Sequence, residues 1–343
     1  MLVLMKSDCT VEQCGAVEEA ILRLGYSPVP VPGVGRTAIC VTGNPGPVDP
    51  ASIARLEGVL ECIPVTKAYK LVSREVHPED TRVRVGGVTL GGPDPVLVTG
   101  PCSVETEART LRIAEACKRA GAHLFRAGAF KPRTSPYSFQ GLGREALLTL
   151  RRVREELELP VVSEVLDVEA IEPMLEHVDV LQVGTRNMQN FSLLKRLGEV
   201  RKPVLLKRGL AATVEEWLMA AEYILAGGNE QVILCERGVR TFDDHARNTL
   251  DLNVVPLIRK VSHLPILVDP SHGVGSRDRV RPMARAAMAC GAQGLLIEVH
   301  TDPDTSYTDA AQAIDLATLG GIVRDMAVLS GLEELKPAEL TGV

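Results

Sequence analysis

One pattern constrains this chain more than any other: between residues 96 and 300 a short apolar run, a polar or Gly-rich turn and a helical stretch recur. The runs are VLVTG (96–100), HLFRAG (123–128), PVVSEV (160–165), VLQVG (180–184), PVLLKRG (203–209), VILCERG (232–238), PILVDPS (265–271) and GLLIEVH (294–300). Their apolar residues are continuous rather than alternating, as in parallel strands covered on both faces. Amphipathic stretches such as TEARTLRIAEACKRAG and TVEEWLMAAEYILAGG lie between them. Eight such units in about 235 residues predict a (β/α)8 barrel, a TIM barrel, over 96–343. A doubly wound open sheet is the alternative, but it usually has fewer strands and a dinucleotide fingerprint near its start. The pairs Gly33/Gly35, Gly141/Gly143 and Gly273/Gly275 each lack the third glycine of that fingerprint, so the dinucleotide reading is discarded. Aromatics are only 3%, which leaves Val, Leu, Ile and Ala to fill the core.

Residues 1–72 predict a separate small domain. MLVLM reads as a strand, and Thr10 caps a helix that ends at Gly25. YSPVPVP, a turn at Gly33–Gly35 and the alternating TAICVTG follow, then a second short helix at DPASIARLEGV and a closing strand at VTKAYKLVS. The order β-α-β-β-α-β is the ferredoxin-like plan. Residues 73–95 form a Gly- and Pro-rich linker, in which RVRV-GG-VTLG predicts a hairpin able to plug one end of the barrel.

A net charge of −6 gives no bulk sign of a nucleic-acid or anionic-membrane partner. Charges at Lys6 and Asp8 interrupt the start too early for a signal peptide, and no apolar run reaches spanning length, so a cytoplasmic location is expected. The eight cysteines form no CxxC pair and read mainly as reduced core residues. Cys9 and Cys14 have a spacing loosely compatible with zinc, but no second pair follows.

In a TIM barrel the chemistry sits at the carboxyl ends of the strands. Reading only those ends gives two groups. Arg126, Lys131, Arg133, Arg186, Lys207 and Arg237 are cations, some of them closing otherwise apolar strands, where an unpaired charge is costly. Glu164 is the clearest counter-charge nearby. Six cations from neighbouring strand ends indicate a pocket for a polyanionic ligand. Cys102, His272 and Glu298, with one of Asp302, Asp304 or Asp309 from the last loop, form the second group; His300 lies beside them. A thiolate, an imidazole and carboxylates suit a borderline divalent ion such as Mn²⁺, Fe²⁺, Co²⁺ or Zn²⁺. Each residue alone has a bland reading as core or ion-pair partner, but strands 1, 7 and 8 are neighbours in a closed barrel.

The motifs GPCSVE, RAGAFKPRTSPYSFQGLG, GTRNMQNF, LLKRG, ILCERGVRTF, DPSHGVG and LLIEVH resemble those of the 3-deoxy-D-arabino-heptulosonate 7-phosphate (DAHP) synthases. The nearest likeness is to the type I β subgroup, which carries an N-terminal ferredoxin-like domain. The resemblance implies a metal-dependent, aldol-type condensation of phosphoenolpyruvate with erythrose 4-phosphate, the first step of the shikimate pathway of aromatic amino acid biosynthesis. It implies Cys102, His272, Glu298 and Asp309 as metal ligands. It assigns Arg126, Lys131, Arg186, Lys207 and Arg237 to phosphoenolpyruvate, and Arg133 and Thr134 to the aldose phosphate. Lys131 is the expected proton donor, and Glu164 is expected to position the attacking water. The resemblance further implies a homotetramer. It leaves open whether the small domain senses an effector, docks a chorismate mutase or stiffens the assembly.

The sister enzyme making 3-deoxy-D-manno-octulosonate 8-phosphate has an Ala-Asn pair after the lysine, followed by Arg-Ser, where this chain has Pro132-Arg133-Thr134. Three departures from the family pattern stand out. TDAAQA surrounds Asp309 where Ser-Asp-Gly-x-Gln-Ser is common, and Thr185 replaces an alanine. SPVPVPGVG lacks the polar side chains with which regulated relatives hold tyrosine or phenylalanine. Two rivals of other kinds are an aldolase or lyase that releases no phosphate, and a non-catalytic phospho-ligand sensor. A sensor would need the anion pocket but not Cys102, His272 and Glu298 together.

Overall fold

The computed structural model describes residues 1–331, apart from 34, 35, 45, 47, 64–66 and 134. The chain divides into two compact units, Met1–Asp80 with Lys260–His263, and Thr81–Arg259 with the residues from Leu264 onward.

In the first unit, strands β1 (Leu2–Met5), β2 (Ser27–Gly33), β3 (Arg36–Thr42) and β4 (Val59–Ile63) form one sheet in the order β2-β3-β1-β4. With helix α1 (Val11–Arg23) this is the ferredoxin-like arrangement. Prolines 28, 30 and 32 are confined to β2, an edge strand, where a missing N–H costs no ladder bond. Helix α1 begins with a capping box: Thr10 accepts from Gln13 N, and the Gln13 side chain accepts from Thr10 N. That geometry brings the residues just before the cap and at the fourth helical position together. Here they are Cys9 and Cys14, whose sulfurs lie 3.6 Å apart; no other candidate ligand joins them among the described residues.

Two expectations fail in this unit. The second helix is only a 3₁₀ turn, Pro50–Ser52, entered through the Asp49 cap. The closing strand is Val59–Ile63 rather than VTKAYKLVS. Gly58, at φ +88°, turns the chain directly onto the free edge of β1, so VLECI takes the pairing first, with Cys62 opposite Val3. Residues 67–72 form no strand, Ser73 makes only an isolated bridge to Ser262, and residues 65 and 66 lie outside the described residues.

The second unit opens with the hairpin β5 (Val83–Val85) and β6 (Val88–Leu90), paired around Gly86-Gly87. A closed parallel barrel follows: β7 (Val96–Gly100), β8 (Leu124–Arg126), β9 (Val161–Val165), β10 (Val180–Val183), β11 (Val204–Lys207), β12 (Val232–Glu236), β13 (Ile266–Val268) and β14 (Gly294–Glu298). These are the eight apolar runs. Every residue of the eight strands is buried, because the barrel covers one face and helices the other. The helices are α2 (Glu107–Arg119), α3 (Arg144–Leu157), α4 (Ile171–Leu175), α5 (Phe191–Glu199), α6 (Val214–Ala226), α7 (Val254–Val261), α8 (Pro270–Val274), α9 (Arg277–Ala289) and α10 (Leu316–Gly331).

The hairpin's Val83, Val85 and Leu90 share one apolar cluster with Val96, Leu124, Val180, Leu205 and Ile233, each the first or second residue of its strand. The plug therefore closes the amino end of the barrel. That leaves the carboxyl end open for chemistry.

Candidate active site and metal centre

At that carboxyl end a cavity of about 330 Å³ is lined by Arg126, Lys131, Arg133, Arg186, Lys207 and Arg237, the six cations expected from the strand ends. Arg240 and Arg247 add two more at its rim, with Glu164, Gln182, Asn248, His272 and Asp309 among the other lining residues. Thr134 lies outside the described residues.

The buried cations are paired individually. Arg126 Nη1 lies 2.7 Å from Glu298 Oε1 and its Nε reaches Gln182 Oε1 at 3.3 Å. Lys131 Nζ contacts Asp309 Oδ2 at 3.2 Å and donates to Cys102 Sγ. Lys207 donates to Asp269. Arg237 reaches the carbonyls of Gly238 and His272. The counter-charges are thus Glu298, Asp309 and Asp269. Glu164, expected as the main one, instead accepts from the Gln182 amide at 3.2 Å. Sequence could not separate these cases, since each partner comes from a different strand.

Cys102, His272, Glu298 and Asp309 each turn one ligand atom inward, and the four atoms lie within 4.8 Å of one another. Strand order β13-β14-β7 brings them together. His272 is set by α8: Asp269 caps that turn through His272 N at 2.9 Å and takes the ring Nδ1 at 2.7 Å. A carboxylate on Nδ1 fixes the tautomer and leaves Nε2 toward the cluster, 3.2 Å from Glu298 Oε1. Burial lowers the imidazole pKa to about 4, so the ring is neutral near pH 7. Burial, seconded by Glu298, pushes the Cys102 thiol up to about 12.

Burial disfavours charge at Lys131, but Cys102, Glu298 and Asp309 outweigh it and hold the ammonium protonated. Burial likewise opposes ionisation of Asp309, yet Lys131 and His272 bring its pKa well below the usual range. A thiol, an imidazole nitrogen and two carboxylates converging at ligand separation fit a borderline divalent ion.

Of the three aspartates that the strand ends alone left open, Asp309, the one the resemblance implies, reaches the cluster. Asp304 is exposed and pairs with Arg277, and Asp302 donates its backbone N–H to His300 Nδ1. His300 lies against Glu105 rather than in the cavity. Several contributing residues were not singled out from sequence. Asp269 aligns His272, and Gln312 donates to Glu298 Oε2 at 2.6 Å. Arg247 reaches both Asp309 Oδ1 and Gln312 Oε1, at 3.1 and 2.7 Å. Asp269 and Arg240 stand inside the DPSH and ERGVRTF motifs, which was the available signal.

Comparison with known proteins shows the family. Residues 71–330 match the model of the DAHP synthetase I family, and residues 1–67 match that of the DAHP synthase ferredoxin-like domain. A phospho-2-dehydro-3-deoxyheptonate aldolase of Thermotoga maritima is 44% identical over 330 residues, covering 96% of this chain and 98% of that one. A crystal structure of the Thermotoga maritima DAHP synthase matches with a TM-score of 0.78 at 43% identity, over 98% of each chain. A 2-dehydro-3-deoxyphosphooctonate aldolase of Geobacter sulfurreducens is 32% identical over 269 residues, covering 73% of this chain and 98% of the relative.

Proposed function

Since the chain belongs to the DAHP synthetase I family, we propose that it condenses phosphoenolpyruvate with erythrose 4-phosphate and water, giving 3-deoxy-D-arabino-heptulosonate 7-phosphate and phosphate. One observation carries this reading: four metal-type donors converge beside a cavity lined by eight cations. A polyanion cavity next to a Lewis-acid site suits joining two phosphorylated substrates, one through an aldehyde. The octulosonate reading is weaker. The relative bearing that name spans only 73% of this chain, whereas the Thermotoga relative spans both units at higher identity. Pro132-Arg133-Thr134 after the lysine, where the sister enzyme has an Ala-Asn pair followed by Arg-Ser, supports the same reading.

Cys102, His272, Glu298 and Asp309 would hold Mn²⁺, Fe²⁺, Co²⁺ or Zn²⁺, which when bound supplies Lewis acidity at the aldehyde oxygen. The remaining work falls to the chain. Arg126, Arg186, Lys207 and Arg237 grip the carboxylate and phosphate of phosphoenolpyruvate, and Arg133 with Thr134 takes the aldose phosphate. Holding two anions at reacting distance removes much of the entropic barrier. The enol carbon attacks the aldehyde carbon, and Lys131 Nζ delivers a proton to the new alkoxide oxygen. Water, oriented by Glu164, adds at C2, and the resulting hemiketal phosphate expels inorganic phosphate.

The test is phosphate release from phosphoenolpyruvate with erythrose 4-phosphate or arabinose 5-phosphate, with and without chelator. Chelator-sensitive release that prefers the four-carbon sugar is expected. Release only with arabinose 5-phosphate would transfer the chain to the octulosonate activity, and no release from metal-replete protein with either would refute synthesis.

The same reading extends to a cytoplasmic homotetramer. No helix among the described residues is long and apolar enough to cross a membrane. Sedimentation of the purified chain, alone and mixed with a chorismate mutase, tests the assembly and that partner. Tyrosine and phenylalanine titrations of the activity test an effector role.

A further inference from the structure

Cys102 and Asp309 are 207 positions apart, and their contact at 2.9 Å is the inner rung of a longer arrangement. Behind it, Ser103 Oγ meets Thr308 Oγ1 at 2.9 Å. Beyond that, Glu105 Oε1 accepts from Tyr307 N at 2.7 Å and from Ser306 Oγ at 3.3 Å. Residues 102, 103 and 105 therefore meet 309, 308 and 307 in antiparallel sense, side chains serving as rungs between the loops that follow β7 and β14.

The loop after β7 is fixed by backbone to its neighbour: Val104 N donates to Gly128 O, and Gly128 N to Cys102 O. The loop after β14 is tied on its far side, where Ala311 O accepts from Arg277 N at 2.9 Å, Ala310 O from Arg277 Nη2 at 2.8 Å, and Arg247 reaches Asp309 and Gln312. Asp304, its exposed ion-pair member, is 83% accessible, and such surface pairs contribute little. Asp309 itself is held at φ +54°, one of two non-glycine residues with positive φ among those described. A backbone in that region persists only where its surroundings impose it. Here the usual glycine after the aspartate is replaced by Ala310.

We infer that Glu105, Ser103 and Thr308 are positioning residues that hang the Asp309 loop on the Cys102 loop and so set the affinity of the metal centre. This rests on the reading of Cys102, His272, Glu298 and Asp309 as metal ligands. Glu105 is the main anchor. It is 2% exposed, and both its oxygens face donors: Oε1 takes Tyr307 N and Ser306, while Oε2 takes Arg109 Nη1 at 2.6 Å and faces His300 Nε2 at 3.4 Å. Arg109 in turn donates to Thr305 O, tying the anchor to the same loop. A glutamine has one acceptor oxygen, so in either orientation its NH₂ meets a donor. Glu105→Gln thus keeps the shape and loses one side of the anchor.

The test is cobalt(II) affinity of the full chain by chelator competition, with thiolate-to-cobalt charge-transfer absorption read in parallel. Partners that orient metal ligands contribute about 10- to 100-fold in affinity. Glu105→Gln is expected to bind cobalt(II) that much more weakly while keeping the thiolate band, because Cys102 is undisturbed. Should Glu105→Gln fail to fold, the pair Thr308→Val and Thr308→Ser decides. The valine variant should weaken binding and the serine variant should restore it. Affinities of Glu105→Gln and Thr308→Val within twofold of the parent would overturn the ladder and leave the metal centre standing. No cobalt(II) binding by the parent chain would remove the metal centre and the ladder together.

Discussion

A Cβ built on Gly184 would lie 1.8 Å from Glu164 Oε1 and 2.6 Å from its carboxyl carbon. The backbone of Gly184, at φ −69° and ψ 158°, would accept any residue, so the glycine is required by the Glu164 side chain and not by its own conformation. Glycine at this place lets the carboxylate lie flat against the start of the turn that carries Arg186.

Gly184→Ala should therefore displace Glu164 from the Gln182 amide toward the cavity. A displacement of about 1 Å at a reacting group can cost on the order of 100-fold. We expect kcat to fall by about 10- to 100-fold with metal stoichiometry unchanged, checked by steady-state kinetics alongside metal analysis. Unaltered kcat would mean that Glu164 takes no part in turnover.

Lys131 touches both Cys102 and Asp309, so it belongs to the metal centre's charge balance as well as to the reaction. Lys131→Ala should lower turnover by about 10²- to 10⁴-fold, the range for loss of a positioned acid. Metal content should stay level or rise, because a competing cation is removed from two ligands. A variant that keeps full activity would take Lys131 out of proton transfer.

Metal uptake should release a proton. Cys102 is a neutral thiol at pH 7, its pKa being near 12, and must ionise to ligate, whereas His272, near 4, is already neutral. Between pH 6 and 8 affinity should then strengthen about tenfold per pH unit, with about one proton released per ion. Calorimetry in buffers of different ionisation enthalpy measures this. Cys102→Ser should bring the release close to zero, and two protons released by the parent would contradict the neutral state of His272.

The two arginines at opposite ends of the burial range make a direct contrast. Arg126 is buried against Glu298, which is itself fully buried, while Arg186 is exposed at the rim. Removing one partner of a buried pair costs about 3–5 kcal/mol. Arg126→Met should fall near the lower end, since Gln312 and His272 still contact Glu298. Arg186→Ala should change stability by about 0.5 kcal/mol or less and act only on the Michaelis constant for phosphoenolpyruvate. Chemical denaturation of the two variants tests the difference.

The small unit shows where sequence reading stops. MLVLM, the capped helix and the strands at YSPVPVP and TAICVTG were legible because caps, turns and alternation are local. The closing strand was not, because VLECI and VTKAYKLVS are both plausible strands. Which of them pairs with β1 depends on where Gly58 delivers the chain.

The barrel was legible for a different reason. A strand covered on both faces must be apolar along its whole length, so eight such runs mark eight buried strands before any contact is known. The same logic exposes charges at strand ends: Arg126, Lys207, Arg237 and Glu298 stand out because burial there demands a partner. Sequence by itself thus determined the barrel, the end that carries the chemistry and the residue types gathered there. Only the tertiary structure decided the pairings: Glu298 with Arg126, Asp269 with His272, and Cys102 with Asp309. Burial of a charge can be read from its local neighbours along the chain. The identity of its partner cannot, since it is fixed by strand order and loop path across residues far apart in sequence.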